Sequence, residues 1–272
     1  MRGTQPGVRA LPATPRYQEK KDRPSGPVLL RFLGEVVRIH EGSAVHVGLI
    51  VGIGPAATDF YYRSLIARMA ATQADLELTM VHADTPTLLA NQAAGESAAQ
   101  VEIYDRLTRR LQAAGARSVA VTSIAGHFCI DAFEYVSVLP VINMLSVVDE
   151  AVAERGYGRV GLLGTRGVMV SHFYGALSGV DVVVPPGPNL DAVHDAYVAM
   201  ATSATCTAEQ RQVFFNAGRA MVEEQGADAV LLAGTDLALA FNGPDAGFAV
   251  LDCAEAHVKA IFADAVQTDS GT

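Results

Sequence analysis

The sequence predicts an α/β fold made of two similar domains, each with a parallel sheet flanked by helices, related by a pseudo-twofold axis. From Val45 onward, short β-branched runs alternate with longer segments of helical periodicity, which is typical of βαβ units. Two stretches also repeat along the chain, because residues 48–52 resemble 161–165 and residues 114–123 resemble 225–234. We therefore expect the carboxyl ends of the strands in both halves to face one interdomain cleft.

The elements divide the chain into three predicted segments. Residues 1–43 carry Pro, Gly, Arg and Lys without apolar periodicity, which predicts a flexible N-terminal extension. Residues 44–146 predict the first α/β domain, completed by a C-terminal helix at 254–266, and residues 147–253 predict the second. The predicted strands lie at 45–51, 76–81, 118–122, 141–144, 159–164, 181–184, 229–233 and 248–252.

Composition excludes several classes of function. With 20 basic against 29 acidic residues and a net charge of −9, the chain offers no basic face for nucleic acid. No apolar run approaches the roughly 18 residues of a membrane span. Three cysteines without a CxxC pair argue against a disulfide framework or a zinc site, so we expect a cytoplasmic protein without a metal. The pair Gly52 and Gly54 lacks the third glycine of a dinucleotide loop, and no cofactor is expected.

Four motifs lie at the predicted strand ends: GLIVGIGPAAT at 48–58, VAVTSIAGH at 119–127, LGTRG at 163–167 and LLAGTDL at 231–237. In order and spacing they resemble the motifs of the aspartate/glutamate racemase superfamily. The resemblance implies cofactor-independent chemistry in which two opposed cysteines, one from each domain, remove and return a proton at the substrate carbon.

The chain departs from that pattern at both cysteine positions, which fall on Ser123 and Gly234. A serine hydroxyl is a far weaker acid than a thiol, whose ordinary pKa is about 8.5, and glycine transfers no proton. Racemisation by two thiols therefore cannot operate here as it does in the family. Asp236 replaces a family glutamate, and it could act as a base, orient a ligand amine or only stabilise a helix start.

Two histidines are further candidates for proton transfer. His127 follows Ser123 by four residues, so its imidazole could activate that hydroxyl, or it could be a packing residue. His257 matches a family position near the mouth of the cleft, where it could act as a pH-sensitive proton donor or have only a structural role.

The remaining candidates would bind the substrate. Gly54, Thr58, Thr165 and Thr235 lie on loops whose backbone N–H groups and hydroxyls suit a carboxylate, although loop hydroxyls also cap helices. Arg166 is the best cationic candidate in the second domain.

The predicted function is cofactor-independent proton transfer at carbon on a small amino acid or carboxylate. A neutral substrate side chain is favoured because residues 82–92 and 191–201 contain no Lys or Arg to hold a second carboxylate. The loss of both cysteines favours a one-base isomerase or lyase over a racemase. The alternative is a catalytically inactive homologue that binds a small carboxylate or serves as a partner subunit. A homodimer is a further expectation, with no nucleic-acid or membrane partner.

Overall fold

The computed structural model describes residues 31–32, 35–36, 45–52, 54–243 and 245–266. Contacts divide the chain into two compact units, residues 1–42 and 43–272. In the first unit, β1 (Arg31–Phe32) pairs with β2 (Glu35–Val36) in an antiparallel ladder. The rest of the predicted N-terminal extension, 1–43, lies outside the described residues.

The second unit begins with a three-stranded parallel sheet. Its strands are β3 (Val47–Val51), β4 (Leu78–His82) and β5 (Ser118–Val121), in the order β4-β3-β5. All residues of β3 are buried, as expected of a central strand covered by helices on both faces. The first helices are α1 (Pro55–Thr72), α2 (Thr85–Ala94), α3 (Ser97–Ala113), α4 (Ile130–Val136) and α5 (Met144–Glu154).

A four-stranded parallel sheet follows. Its strands are β6 (Arg159–Gly164), β7 (Asp181–Val183), β8 (Ala229–Ala233) and β9 (Val250–Asp252), in the order β7-β6-β8-β9. The remaining helices are α6 (Arg166–Val170), α7 (Pro188–Ser203), α8 (Ala208–Glu223), α9 (Ala238–Phe241) and α10 (Cys253–Ala265). Within the described residues, no helix is both long and apolar enough to cross a bilayer.

The two sheets share one topology, because β4-β3-β5 and β7-β6-β8 both place the first strand at the centre. This confirms the predicted α/β fold with two similar halves. The C-terminal helix α10 packs against α1 and α5. The predicted boundary between residues 146 and 147 falls inside α5, and the domain limits stay a prediction.

One predicted strand is wrong. Residues 141–144 contribute a single parallel bridge, from Val141 to Val119, and then enter α5. The helix begins there because the Asn143 side chain accepts a hydrogen bond from the Leu145 N–H at 2.9 Å, which caps its first turn.

Candidate functional site

The loops that follow the parallel strands of the two halves meet at Asp236. This residue lies in the turn after β8, and its Oδ1 accepts a hydrogen bond of 3.0 Å from the backbone N–H of Ala57, in the first turn of α1. Gly54, just before α1, also lies against Asp236, because a Cβ added to it would lie only 2.7 Å from Asp236 Oδ2. Glycine at 54 therefore lets the second half approach the first.

Asp236 is a buried carboxyl group, only 4 % exposed, with a partner on each oxygen. Besides the Ala57 N–H, the Tyr197 hydroxyl on α7 donates to Oδ2 at 3.2 Å. Burial raises the pKa of Asp236 above its ordinary value, and the two hydrogen bonds oppose that rise. A carboxyl group with a raised pKa is better suited than an exposed one to exchange a proton near neutral pH.

Tyr197 was not predicted, and it occupies the position where the second family thiol would lie. A Cβ built on Gly234 would lie 2.4 Å from Cε2 of the Tyr197 ring, closer than any real contact. The ring is buried, and burial, followed by the nearby Asp236, raises the pKa of the phenol well above its usual value. No motif or spacing pointed to this contact, which arises from the packing of α7 against the end of β8.

Ser123 and His127 lie together, but not as a hydroxyl–imidazole pair. The His127 Nδ1 is 2.7 Å from the backbone carbonyl oxygen of Ser123, and the Met144 N–H donates to Nε2 at 3.4 Å. Burial lowers the pKa of His127 to about 4, so the ring is neutral, with its proton on Nδ1. Both nitrogens bond to the backbone, and the structure does not place His127 to activate the Ser123 hydroxyl.

His257 lies in the core rather than at the mouth of a cleft. It is 0 % exposed. Its Nε2 donates to the Ile142 carbonyl at 2.8 Å, and the Tyr61 hydroxyl donates to Nδ1 at 2.9 Å. Burial, with a smaller effect of His127, lowers its pKa to about 3. A neutral, fully paired imidazole does not match the expected pH-sensitive donor or a ligand contact.

Two of the substrate-binding candidates serve local structure. The Thr58 hydroxyl donates to the Gly54 carbonyl at 3.0 Å and accepts from the Gly52 N–H at 3.2 Å. Thr165 caps α6 by accepting a hydrogen bond from the Val168 N–H at 3.4 Å. Thr165 therefore matches the capping alternative, whereas the Thr58 hydroxyl ties the loop of Gly52 and Gly54 to the first turn of α1.

Arg166 and Thr235 differ in how far their polar groups are satisfied. Arg166 is exposed and forms an ion pair with Asp191, so its charge is already partly neutralised. Thr235 is only 2 % exposed, and its hydroxyl makes no hydrogen bond within the described part of the chain.

A cavity of about 770 Å³ lies against the β8 loop, between α1, α9, β9 and the start of α10. Thr235 and Asp236 line it, whereas Ser123, His127 and Gly234 are not among its described lining residues. Its apolar wall consists of Phe60, Leu232, Leu239, Phe241 and Val250. This cavity therefore lies on the Asp236 side and not between the two positions of the family thiols.

The loop that carries Ser123 accepts hydrogen bonds from Gln92 of the first half and, at 3.5 Å, from Tyr174 of the second. The Gln92 side-chain amide on α2 donates to the Ala125 carbonyl at 3.0 Å and to the Tyr174 hydroxyl at 2.9 Å. Tyr174 follows His172 and Phe173 in a run of three residues with positive φ, between 50° and 61°. This left-handed backbone conformation is costly for residues other than glycine. The hydrogen bonds of the Tyr174 side chain help to stabilise it.

The described residues contain no cluster of three or more His, Cys, Asp or Glu side chains suited to a metal ion. The thiols near the site are buried, and burial raises the pKa of Cys129 to about 12 and that of Cys253 well above its usual value. Both are therefore protonated near neutral pH and do not replace the missing thiolate.

These features define a class of protein: two α/β halves of one topology, with a polar site where their strand ends meet. Residues 50–261 match the family model for Asp/Glu/Hydantoin racemase, and the chain belongs to that family.

Solved structures agree with this assignment. A provisionally assigned Asp/Glu racemase from Yersinia pestis superposes with a TM-score of 0.72 at 24 % identity, over 81 % of this chain and 99 % of that chain. An aspartate racemase homologue from Pyrococcus horikoshii OT3 gives 0.69 at 23 %, over 81 % and 99 %. A glutamate racemase from Francisella tularensis subsp. tularensis SCHU S4, in complex with D-glutamate, gives 0.59 at 13 %, over 81 % of both chains. At these identities the similarity establishes the fold.

Proposed function

We propose that this protein catalyses cofactor-independent proton transfer at a carbon atom of a small amino acid or carboxylate, with Asp236 as its single base. The supporting observation is that Asp236 alone among the candidate proton-transfer residues lines the cavity. Its carboxyl group is buried with a raised pKa, and hydrogen bonds from both halves orient it.

A single base is consistent with the absence of both family thiols. The position of the first thiol holds Ser123, and the Tyr197 ring covers the position of the second. The Asp236 carboxylate would accept the proton, and the C–H electron pair would pass into the adjacent carbonyl or carboxylate group of the substrate. The protonated carboxyl group then delivers the proton from the same side to another atom of the delocalised anion, which gives an isomer, or the electron pair expels a leaving group. A one-base isomerase or lyase follows more directly from this arrangement than a two-base racemase.

Hydrogen–deuterium exchange tests this function. The purified chain is first screened by thermal shift against D- and L-amino acids, small dicarboxylates and arylmalonates, and each hit is then incubated in D₂O and followed by proton NMR. We expect a hit to lose its α-proton signal or to form a product, and Asp236→Asn to abolish that change. Asp195→Asn removes the same charge from the exposed face of α7 and should leave the rate intact. Equal rates in wild type and Asp236→Asn would exclude Asp236 as the base.

A catalytically inactive binding protein is the second candidate. It is favoured by the saturated hydrogen bonding of His127 and His257 and by the contact of Tyr197 with Gly234, which remove three routes for proton transfer. Such a protein would bind a small carboxylate or serve as a partner subunit. Thermal stabilisation by a ligand whose spectrum stays unchanged in D₂O would support it.

The expected assembly and location belong to the same proposal. We propose a homodimer that works in the reducing cytoplasm, where the free cysteines Cys129, Cys206 and Cys253 stay reduced. Light scattering during size-exclusion chromatography tests the dimer, and a monomeric mass at micromolar concentration would contradict it.

A further inference from the structure

The charge of the cavity beside Asp236 is opposite to what a carboxylate substrate requires. Four acidic side chains line it: Asp59, Asp236, Asp252 and Glu255. Arg63 is the one basic side chain among its described lining residues, and it is paired with Asp59 at 2.7 Å. Glu255 is paired with Arg68 and, at 4.0 Å, with Lys259, so among the described lining acids only Asp236 and Asp252 lack a basic partner. A ligand anion would meet these two carboxyl groups, whereas a cation would be attracted to them.

Asp236, which is buried, and Asp252, which is partly exposed, have no positive partner among the described residues. Asp236 and Asp252 form no ion pair with a Lys or Arg among the described residues, and both accept hydrogen bonds from backbone N–H groups, Asp236 from Ala57 and Asp252 from Ala254. Burial raises the pKa of Asp252 to about 6 and raises that of Asp236. A cation bound beside them would favour their charged forms.

A separate observation, the hydroxyl of Thr235, also indicates a ligand. Thr235 lines the cavity and is only 2 % exposed to solvent. Its hydroxyl makes no hydrogen bond with the described residues. Its Oγ1 is not one of the fully enclosed polar atoms, so the hydroxyl is open to the space of the cavity and can pair with a molecule bound there. A polar group of a bound molecule would satisfy it.

The apolar part of the lining limits the kind of ligand. Leu232, Leu239, Phe241 and Val250 line the same cavity as the acids, and the volume of about 770 Å³ is within the range of small-molecule sites. An apolar body would lose contact with water on binding there.

We propose that this cavity binds a small amino compound, with its ammonium group beside the Asp236 and Asp252 carboxylates, a hydrogen bond to the Thr235 hydroxyl and its apolar body against the apolar lining residues. This inference rests on the proposed function in that it names the substrate class of the same cavity. It favours an amine or a neutral-side-chain amino acid over a dicarboxylate.

Calorimetry on the full chain tests the proposal with two derivatives of one amino acid. Leucinamide keeps the ammonium group without a carboxylate, and N-acetyl-leucine keeps the carboxylate without an ammonium group. At low salt and neutral pH we expect leucinamide to bind about ten-fold more tightly or better. Equal affinity, tighter binding of N-acetyl-leucine or no binding of leucinamide would overturn the proposal.

A pair of threonine variants tests the location of the site. Thr235→Val removes the hydroxyl at constant shape and should weaken leucinamide binding about three- to ten-fold. Thr108 is the control, because its hydroxyl also lacks a partner among the described residues but is enclosed away from the cavity, so Thr108→Val should bind leucinamide as wild type does. Equal affinities for all three proteins would overturn the assignment to this cavity.

The binding test can fail separately from the catalytic one. Leucinamide binding without any Asp236-dependent α-proton exchange supports the amine site and counts against the proposed chemistry. Asp236-dependent exchange in a protein that prefers N-acetyl-leucine supports the base and overturns the amine site.

Discussion

The Tyr197 ring occupies the space that any side chain at Gly234 would need. A Cβ on Gly234 would lie 2.4 Å from Cε2 and 2.9 Å from Cζ of that ring. The ring is buried and its hydroxyl is hydrogen-bonded to Asp236, so it cannot move aside without breaking that bond. Glycine at 234 is therefore required for packing, and the absence of a thiol there is coupled to the presence of Tyr197.

The first prediction concerns this contact. Gly234→Cys should lower the free energy of unfolding by about 1–3 kcal/mol, because the new side chain overpacks a buried site. In the double variant with Tyr197→Ala, the loss should be smaller than the sum of the single losses by about 1 kcal/mol or more. Urea unfolding of the four proteins measures this coupling. Additive losses would mean that the ring and residue 234 do not compete for space. Gly167→Ala is a control, since a Cβ there meets no atom within 4 Å.

The sequence predicts the fold and the convergence of the loops, because both follow from local patterns. β-branched runs and the internal repeat locate the two sheets, and parallel strands bring their carboxyl ends to one edge. Gly54 and Asp236 were therefore predicted on loops that the structure brings into contact, and their role in a site stays a prediction. Tyr197 could not be found in this way, since its contact depends on how α7 packs against β8.

The histidines show a second limit of sequence analysis. The spacing of Ser123 and His127 correctly brings them together, but it does not tell whether the imidazole meets a hydroxyl or a carbonyl. Likewise, nothing in the sequence around His257 reveals that the Ile142 carbonyl and the Tyr61 hydroxyl bond to its two nitrogens. The role of a histidine depends on its burial and on partners distant in sequence, and the sequence spacing of residues predicts neither.

The second prediction tests how Asp236 is held. Tyr197→Phe keeps the ring but removes the hydrogen bond to Oδ2, so the pKa of Asp236 should rise further. The free energy of unfolding at neutral pH should fall by about 1.5–3 kcal/mol, the usual contribution of a hydrogen bond to a charged group. Carbon-13 NMR of the Asp236 carboxyl group measures the shift.

Tyr104→Phe is the matched control for that variant. Tyr104 is also buried, but its hydroxyl donates to the Gly126 carbonyl at 3.1 Å, away from Asp236. This change should leave the pKa of Asp236 unaltered. A similar shift in both variants would indicate a general loosening of the core.

The third prediction uses the buried imidazole of His257. Its pKa is about 3 in the folded chain against 6.5 in the unfolded chain, so the unfolded state binds the extra proton as the pH falls below about 6.5. Its contribution to stability is complete above the unfolded pKa, and it is lost by about 1.4 kcal/mol per pH unit on acidification. His257→Gln cannot titrate. The variant should be less stable than wild type near neutral pH, and the difference should shrink as the pH falls.

Unfolding curves of both proteins across this pH range provide the measurement. Comparing the two removes the opposing effect of Asp252, whose folded pKa of about 6 is above its unfolded value. That carboxyl group stabilises the fold at low pH and loses its contribution as the pH rises, equally in both proteins. A stability difference that is independent of pH would show that His257 is not held neutral by burial.

The fourth prediction concerns the end of α1, where Gln73 adopts the left-handed conformation with φ 57° and ψ 30°. Its backbone N–H bonds to the Ala70 carbonyl, and Ala74 N–H bonds to the Met69 carbonyl, so the backbone conformation is fixed by the helix cap. The side chain is exposed, and glycine adopts this conformation without steric cost. Gln73→Gly should therefore raise the free energy of unfolding by about 0.5–1 kcal/mol.

Gln212→Gly inside α8 is the opposite case and should lower the free energy of unfolding by about 1 kcal/mol, because glycine is a poor residue for a helix interior. Urea unfolding distinguishes the two, and a loss of stability in both variants would mean that the Gln73 side chain contributes more than its backbone strain costs.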